Sequence, residues 1–429
     1  MITIQDLVAL TQLRGFTKFG VGLAAAREAV AQHNAFFVEG ALAELAENPL
    51  AAQSDPNGWH SITKLLSFRD KHQAMELQDL GAQYGLCEIW SNLSRYADVE
   101  KPLEPLEPPL IATAFSGCLN GYTIRSARRE SAIVIDEQLI HIANLQGTLL
   151  SECFTLREAG RPLADFDIGR LSALTRPDSP FAAKWVQPLI FAIRGGAAAA
   201  AALGASDVAG MRDIIRDGFI YFVIAHEMAH VALKHYGDDE AEAFDDSEYE
   251  LFAKRHELEL EADVFAIRAC LRFILDRNPP SAHLFFAGAM GFLSSIEAFE
   301  RLLFQFLTDR ADDGGMYLES GYKSSSAVFA TTHPSPFVRR ARLRSFIANC
   351  ALPSGLKVIF EQTAEAGELA MQRLTANATK AARGARRQGV SPHPIWLGRQ
   401  CDYTLFNSPL AGRRSGFADQ PHWSKAARR

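Results

Sequence analysis

Cysteine is scarce and poorly placed for cross-linking: Cys87, Cys118, Cys153, Cys270, Cys350 and Cys401 lie far apart, and no two share a C-x-x-C spacing. That excludes a disulfide framework and a thiolate zinc knuckle, and predicts buried, reduced thiols. Long apolar runs are missing too. The alanine-rich stretch 185–205 is interrupted by Pro188, Arg194 and three glycines. The uncharged run 284–296 is well short of the ~20 residues a span requires. Both are predicted to be buried helices, with no transmembrane segment. The opening MITIQDLVALTQLRGF has no basic cluster ahead of an apolar region and no small-residue cleavage site, so a cytoplasmic protein is predicted. The chain has no internal repeat.

What is present is ordinary globular material: 429 residues, 48% hydrophobic and 22% charged, which excludes a disordered or fibrous chain. The net charge of −6 is unevenly spread. Residues 380–429 hold ten Lys/Arg against Asp402 and Asp419, a local +8, leaving −14 on residues 1–379. This basic tail also contains Trp396, Tyr403, Phe406, Phe417 and Trp423, more aromatics than a purely electrostatic arm needs. It is read as an extension folding back onto the acidic body. Docking on nucleic acid or anionic lipid is the alternative.

Apolar residues recur at helical spacing over 24–47 and around 61–84, so residues 1–100 form an N-terminal helical region. KPLEPLEPPL (101–110) places four prolines in ten residues and marks a boundary. The segment 121–140 reads as a hairpin with Ile133-Val134-Ile135 as its β-branched run, and 141–175 as helical. From Val208 to His235 the pattern is strongly helical, with Ser206 or Asp207 as its cap and Gly237 as its end. The acidic DDEAEAFDDSEYE (238–250) predicts an exposed loop or helix start. A second helix over about 248–276 then stops before Asn278-Pro279-Pro280.

The chemistry is concentrated in His226-Glu227-Met228-Ala229-His230. Histidines at i and i+4 share one helix face a turn apart, so both imidazoles can converge on one ion. Glu227 is placed to take a proton from a metal-bound water. Two satisfied histidines on a half-buried helix are the ordinary alternative, and it loses because the next helix supplies the rest of a site. A catalytic zinc takes three protein ligands and keeps one position open. In HELELEADVFA, Glu259 and Asp263 are i, i+4 neighbours, with Ala262 and Ala266 keeping that face slim. Glu259 is the third ligand, and Asp263 orients a ligand imidazole from behind. Glu257 and Glu261 are read as a solvated face. A metzincin is excluded, because Leu233 and Tyr236 stand where its glycine and third histidine belong.

Three stretches, HEMAHVALKHYG (226–237), E-L-E-A-D (259–263) and THPSPFVRRARL (332–343), stand in the order and form seen in gluzincin metalloendopeptidases of the HtpX and CAAX prenyl protease type. The chain resembles that family over roughly residues 110–345, and more loosely the Lit-type phage-exclusion peptidases. The resemblance implies one Zn2+ per chain on His226, His230 and Glu259, with Glu227 as general base. It implies that His333 returns to the cleft, with Arg339 six positions on. Soluble relatives often carry the histidine found here as His235, a group placed behind the ligands or capping the helix. By their own pattern Arg339, Arg340, Arg342 and Arg344 are expected on a solvated helix face, and only Arg339 gains a role from the resemblance. Thr113-Ala114-Phe115 replaces the family's Asn-Ala-Phe, and the family's membrane helices are missing.

The expected protein is therefore α+β and predominantly helical: a zincin-like metallopeptidase core with a small sheet over 110–350, flanked by helical residues 1–100 and a C-terminal helix and tail over 351–429. The expected activity is zinc-dependent endoproteolysis of a protein or peptide substrate. The alternatives are a conditional immunity or toxin effector restrained by a regulatory partner, and a latent zinc-binding regulatory protein.

Overall fold

The segment 209–232 has Met211, Ile215, Phe219, Phe222 and Val223 at helical steps; its first half also carries the half-exposed Arg212, Asp213, Arg216 and Asp217, but from Gly218 on Tyr221, Ile224 and Ala225 fill the other faces and the apolar surface runs almost all the way round. Such a helix has to be enclosed on every side. In the computed structural model it is the central element. The structure describes residues 3–18, 22–47, 79–97, 109–114, 121–126, 130–156, 164–193, 209–235, 248–307 and 334–389.

Among these residues the fold is α+β and predominantly helical. The helices are α1 Ile4–Lys18, α2 Leu23–Glu47, α3 Leu80–Ser94, α4 Glu137–Cys153, α5 Ile168–Leu174, α6 Pro180–Ile193, α7 Ala209–Ala232, α8 Glu248–Arg277, α9 Ala282–Leu307, α10 Pro336–Asn349 and α11 Ser354–Arg387. Helices α3, α4, α8 and α9 surround the central α7, and α11 packs along α9. The stretch Pro279–Leu302 is apolar and long enough to cross a membrane by composition, but 89% of its window is buried inside the fold. The four described cysteines are free thiols, as expected, but only Cys153 and Cys270 are buried; Cys87 and Cys350 are half-buried.

The expected hairpin is present as β2 (Gly121–Arg125) antiparallel to β3 (Ser131–Asp136), and β1 (Leu110–Ala114) joins β3 in parallel to give the order β1-β3-β2. Strand alternation gives the sheet two faces. Ala112, Ala114, Tyr122, Ile124, Ala132 and Val134 form one face and pack with Ile4 and Val8 of α1. Ile111, Ile133 and Ile135 point the other way, into the main core with α7. The carbonyls of Ile111 and Thr113 accept hydrogen bonds from the buried side chains of Gln83 and Gln12, at 2.9 and 2.8 Å. Helices α1 and α3 of the N-terminal region therefore satisfy the exposed edge of β1.

Two readings need correction. Residues 141–175 are not helical throughout: β4 (Phe154–Leu156) and β5 (Ala164–Phe166) pair antiparallel, with the Phe154 and Phe166 rings packed edge to face at 5.2 Å. An aromatic cross-strand pair of this kind competes well with helix. Helix α7 also ends at Ala232, before the expected Gly237, because the chain turns through a left-handed residue at Lys234. The Pro-rich 101–108, the alanine run 194–208 with Ser206 and Asp207, the helical expectation over 61–78, the acidic 238–247 and the 390–429 tail lie outside the described residues.

Helices α7 and α9 meet backbone to backbone. A Cβ on Gly218 would lie 1.9 Å from the Phe285 carbonyl oxygen, and one on Gly288 would lie 2.0 Å from that of Ile215. Gly218→Ala should therefore push the helices apart and destabilise the protein by about 1–3 kcal/mol, as overpacking of a tight core does. A lowered midpoint in urea unfolding checks this, with Gly210→Ala, which meets nothing within 4 Å, as the control.

Candidate metal centre

Helix α7 presents His226, Glu227 and His230 in its last two turns, and α8 crosses it with Ala262 and Ala266 fully buried at the contact. Those small side chains let Glu259 and Asp263 of α8 reach the histidines, as the sequence predicts. The Nε2 atoms of His226 and His230 lie 3.1 Å apart. Glu259 closes the triangle, with Oε2 at 3.1 Å from His226 Nε2 and Oε1 at 3.4 Å from His230 Nε2. All three residues are buried, and among the described residues they are the one His/Cys/Asp/Glu group arranged to hold a metal ion.

The groups behind these ligands define their protonation. His226 Nδ1 lies 3.0 Å from Asp263 Oδ1, so the Nδ1 proton is donated there and Nε2 is the nitrogen turned toward His230 and Glu259. Asp263 is fully buried and grips Arg339 bidentately, Nε at 2.7 Å and Nη2 at 2.6 Å. Burial alone would raise the Asp263 carboxyl, but the Arg339 guanidinium, with His226 adding to it, outweighs burial and holds the group below the usual carboxylate range. Burial also opposes charge on His226, yet Asp263 and Glu259 overcome it and lift the imidazole to about 9. The two carboxylates thus favour positive charge at this imidazole.

Glu227 is buried and points toward the sheet. Burial pushes its carboxyl up to about 7, against the opposing pull of His226 and a hydrogen bond from Thr123. That bond runs from Thr123 Oγ1 to Glu227 Oε2 at 2.8 Å. Thr123 lies on β2 opposite Ile133, and Gly121, on the same face, leaves room for the Glu227 side chain; a Cβ there would lie 3.3 Å from Glu227 Cγ. Thr123 was not among the residues expected to matter. Its sequence signal is a polar residue on the inward, apolar face of a strand.

Of the other expected residues, His235 is buried and its Nδ1 lies 2.9 Å from His230 Nδ1, behind that ligand. Glu257 and Glu261 are exposed, as expected. Arg339 is not part of a solvated face, and neither is Arg340: both are buried, because α10 sits against α8 and α9 with counter-charges waiting. Arg340 pairs with Glu297 of α9 and Glu368 of α11, while Arg344, which also reaches Glu368, is half-buried and Arg342 is exposed. Arg339 stands behind His226 rather than among the ligand atoms. His333 lies outside the described residues.

Removing the charge of Asp263 leaves a buried guanidinium unpaired, so Asp263→Asn should cost about 3–5 kcal/mol at neutral pH. Because the folded pKa is depressed, this stabilisation is fully present above about pH 4 and is lost as pH falls through the folded value. Denaturant titrations of both proteins from pH 7 to pH 2 should show the gap closing only below that point.

The chain matches no family model, no curated protein and no solved structure.

Proposed function

We propose that this protein is a zinc-dependent metalloendopeptidase with a zincin-like core, of the gluzincin type that its motifs resemble. The observation that carries the reading is the convergence of His226, His230 and Glu259, with the buried carboxyl of Glu227 one residue from the first ligand. Bonds of about 2.0–2.1 Å in a tetrahedron give edges of about 3.3–3.4 Å, close to the 3.1 Å between the two Nε2 atoms, and each of these has one Glu259 oxygen within 3.4 Å. Two imidazoles and a carboxylate are also the donor set of a catalytic rather than a structural zinc, which takes its fourth ligand from water or substrate.

Bound zinc would supply Lewis acidity toward a scissile carbonyl and bring a water's pKa toward neutrality. The rest belongs to the chain. Asp263 holds the proton on His226 Nδ1 and so keeps Nε2 available. Thr123 engages Oε2 of Glu227, which leaves Oε1 to take a proton from the attacking water and return it to the departing amine. A carboxyl poised near 7 can perform both transfers at neutral pH. Arg339 acts at one remove, by fixing Asp263. The substrate is a protein or peptide, the site of action is the cytoplasm, and His333 is the candidate for stabilising the oxyanion.

Elemental analysis should find one zinc per chain, lost in the His226→Ala, His230→Ala double variant. Glu227→Gln should keep the metal and the fold and lower cleavage of an unstructured protein such as β-casein by about 10²–10⁴-fold. Full metal in the double variant would remove the site, and unchanged cleavage in Glu227→Gln would remove the role of that residue.

A further inference from the structure

The turn that ends α7 is unusual in a way that bears on the ligand His230. Lys234 adopts φ 57°, the left-handed conformation normally left to glycine, and it is the one non-glycine residue with positive φ among the described residues. Two backbone bonds close around it: Lys234 N–H donates to the Val231 carbonyl at 3.4 Å, and His235 N–H donates to the His230 carbonyl at 3.1 Å. This is a Schellman closure, and its geometry returns the residue after the left-handed position to the last turn of the helix. That residue is His235. Its side chain is only 4% exposed, and its ring lies 5.0 Å from that of His230 with the planes at 71°.

The contact has a direction. Each imidazole offers one nitrogen, Nδ1 to Nδ1 at 2.9 Å, so one must donate and the other accept. If His235 donated, the His230 proton would sit on Nε2, facing His226 Nε2 at 3.1 Å and Glu259 Oε1 at 3.4 Å, and His230 could not ligate. If His230 donates, its Nε2 lone pair points into the cluster, and the His235 proton sits on Nε2. That outer nitrogen has no hydrogen bond and lies 3.4 Å from the carboxylate of Glu261, whose side chain is 61% exposed.

We propose that His235 is a positioning residue of the metal centre: through the turn at Lys234 it accepts the Nδ1 proton of His230, fixing that ligand's tautomer and ring orientation. His226 receives the same service from a carboxylate, so the two ligands are held by different chemistry: an acceptor charged and clamped by Arg339 behind one, a neutral imidazole behind the other. The proposal rests on the metal-centre reading and not on proteolysis.

The test compares His235→Leu, which fills the space without an acceptor, with His235→Asn, whose Oδ1 can replace Nδ1. Zinc affinity is read by chelator competition, and unfolding of the metal-free protein is followed alongside. His235→Leu should weaken zinc binding by about 10–100-fold, and His235→Asn should recover most of that loss. Lys234→Val, which keeps the imidazole but disfavours the left-handed turn, should weaken zinc in the same direction, whereas Lys234→Gly should not. Equal affinity in the Leu and Asn variants, or wild-type affinity in Leu, overturns the proposal, as does a loss of metal-free stability that accounts for the whole effect. A wild-type protein that binds no zinc overturns the metal-centre reading itself, a separate failure that takes this role with it.

Discussion

The imidazole of His226 is enclosed in the core between two carboxylates, and the arrangement of the surrounding helices follows from neutralising what its burial leaves behind. Asp263 has no exposed surface, so its charge needs a partner, and Arg339 supplies one bidentately. Arg339 arrives on α10, and the next residue on that helix, Arg340, is itself buried and takes Glu297 of α9 and Glu368 of α11. Charge is thus compensated in steps from the centre outward. Four helices, α8, α9, α10 and α11, are connected to α7 by that sequence of pairs as well as by apolar packing.

The sheet completes the enclosure from the other side. Its inner face lies against α7, and Gly121 and Thr123 are the positions at which β2 passes Glu227. A larger side chain at the first would press on Ile135, Val223 and the Glu227 stem, and an apolar one at the second would leave Oε2 without a protein donor. Close backbone approach at Gly218 and Gly288 fixes the opposite flank. His226, Glu227 and His230 are therefore shut off from water, unlike the half-exposed Arg212, Asp213, Arg216 and Asp217 toward the other end of α7. That exclusion lifts Glu227 toward neutrality and strengthens each remaining electrostatic contact.

Much of this was legible in the chain. The 3.6-residue repeat and the i, i+4 histidines gave α7 and the first two ligands, because residues one turn apart meet whatever the tertiary context. The β-branched run Ile133-Val134-Ile135 after the polar 125–131 connection gave the hairpin for the same local reason. Ala262 and Ala266 gave the close approach of α8, and with it Glu259 and Asp263. The motif resemblance pointed to Arg339 and His235 but did not determine what either touches.

What only the tertiary structure decided are contacts between elements remote in sequence and states of the backbone that propensity disfavours. Thr123 reaches Glu227 across 104 positions, and Arg339 reaches Asp263 across 76. Neither pairing has a local period to reveal it. The burial of Arg339 and Arg340 was hidden because an arginine-rich helix looks solvated until its counter-charges on α8, α9 and α11 are in place. Lys234 in a left-handed turn ran against the glycine preference that made Gly237 the expected helix end; the fold holds it there through two backbone hydrogen bonds and the packing of His235 behind His230. The sequence by itself determined which side chains could share a face. Which faces meet, and hence which ionisable groups lose their water and need a partner, depended on long-range packing that no local pattern encodes.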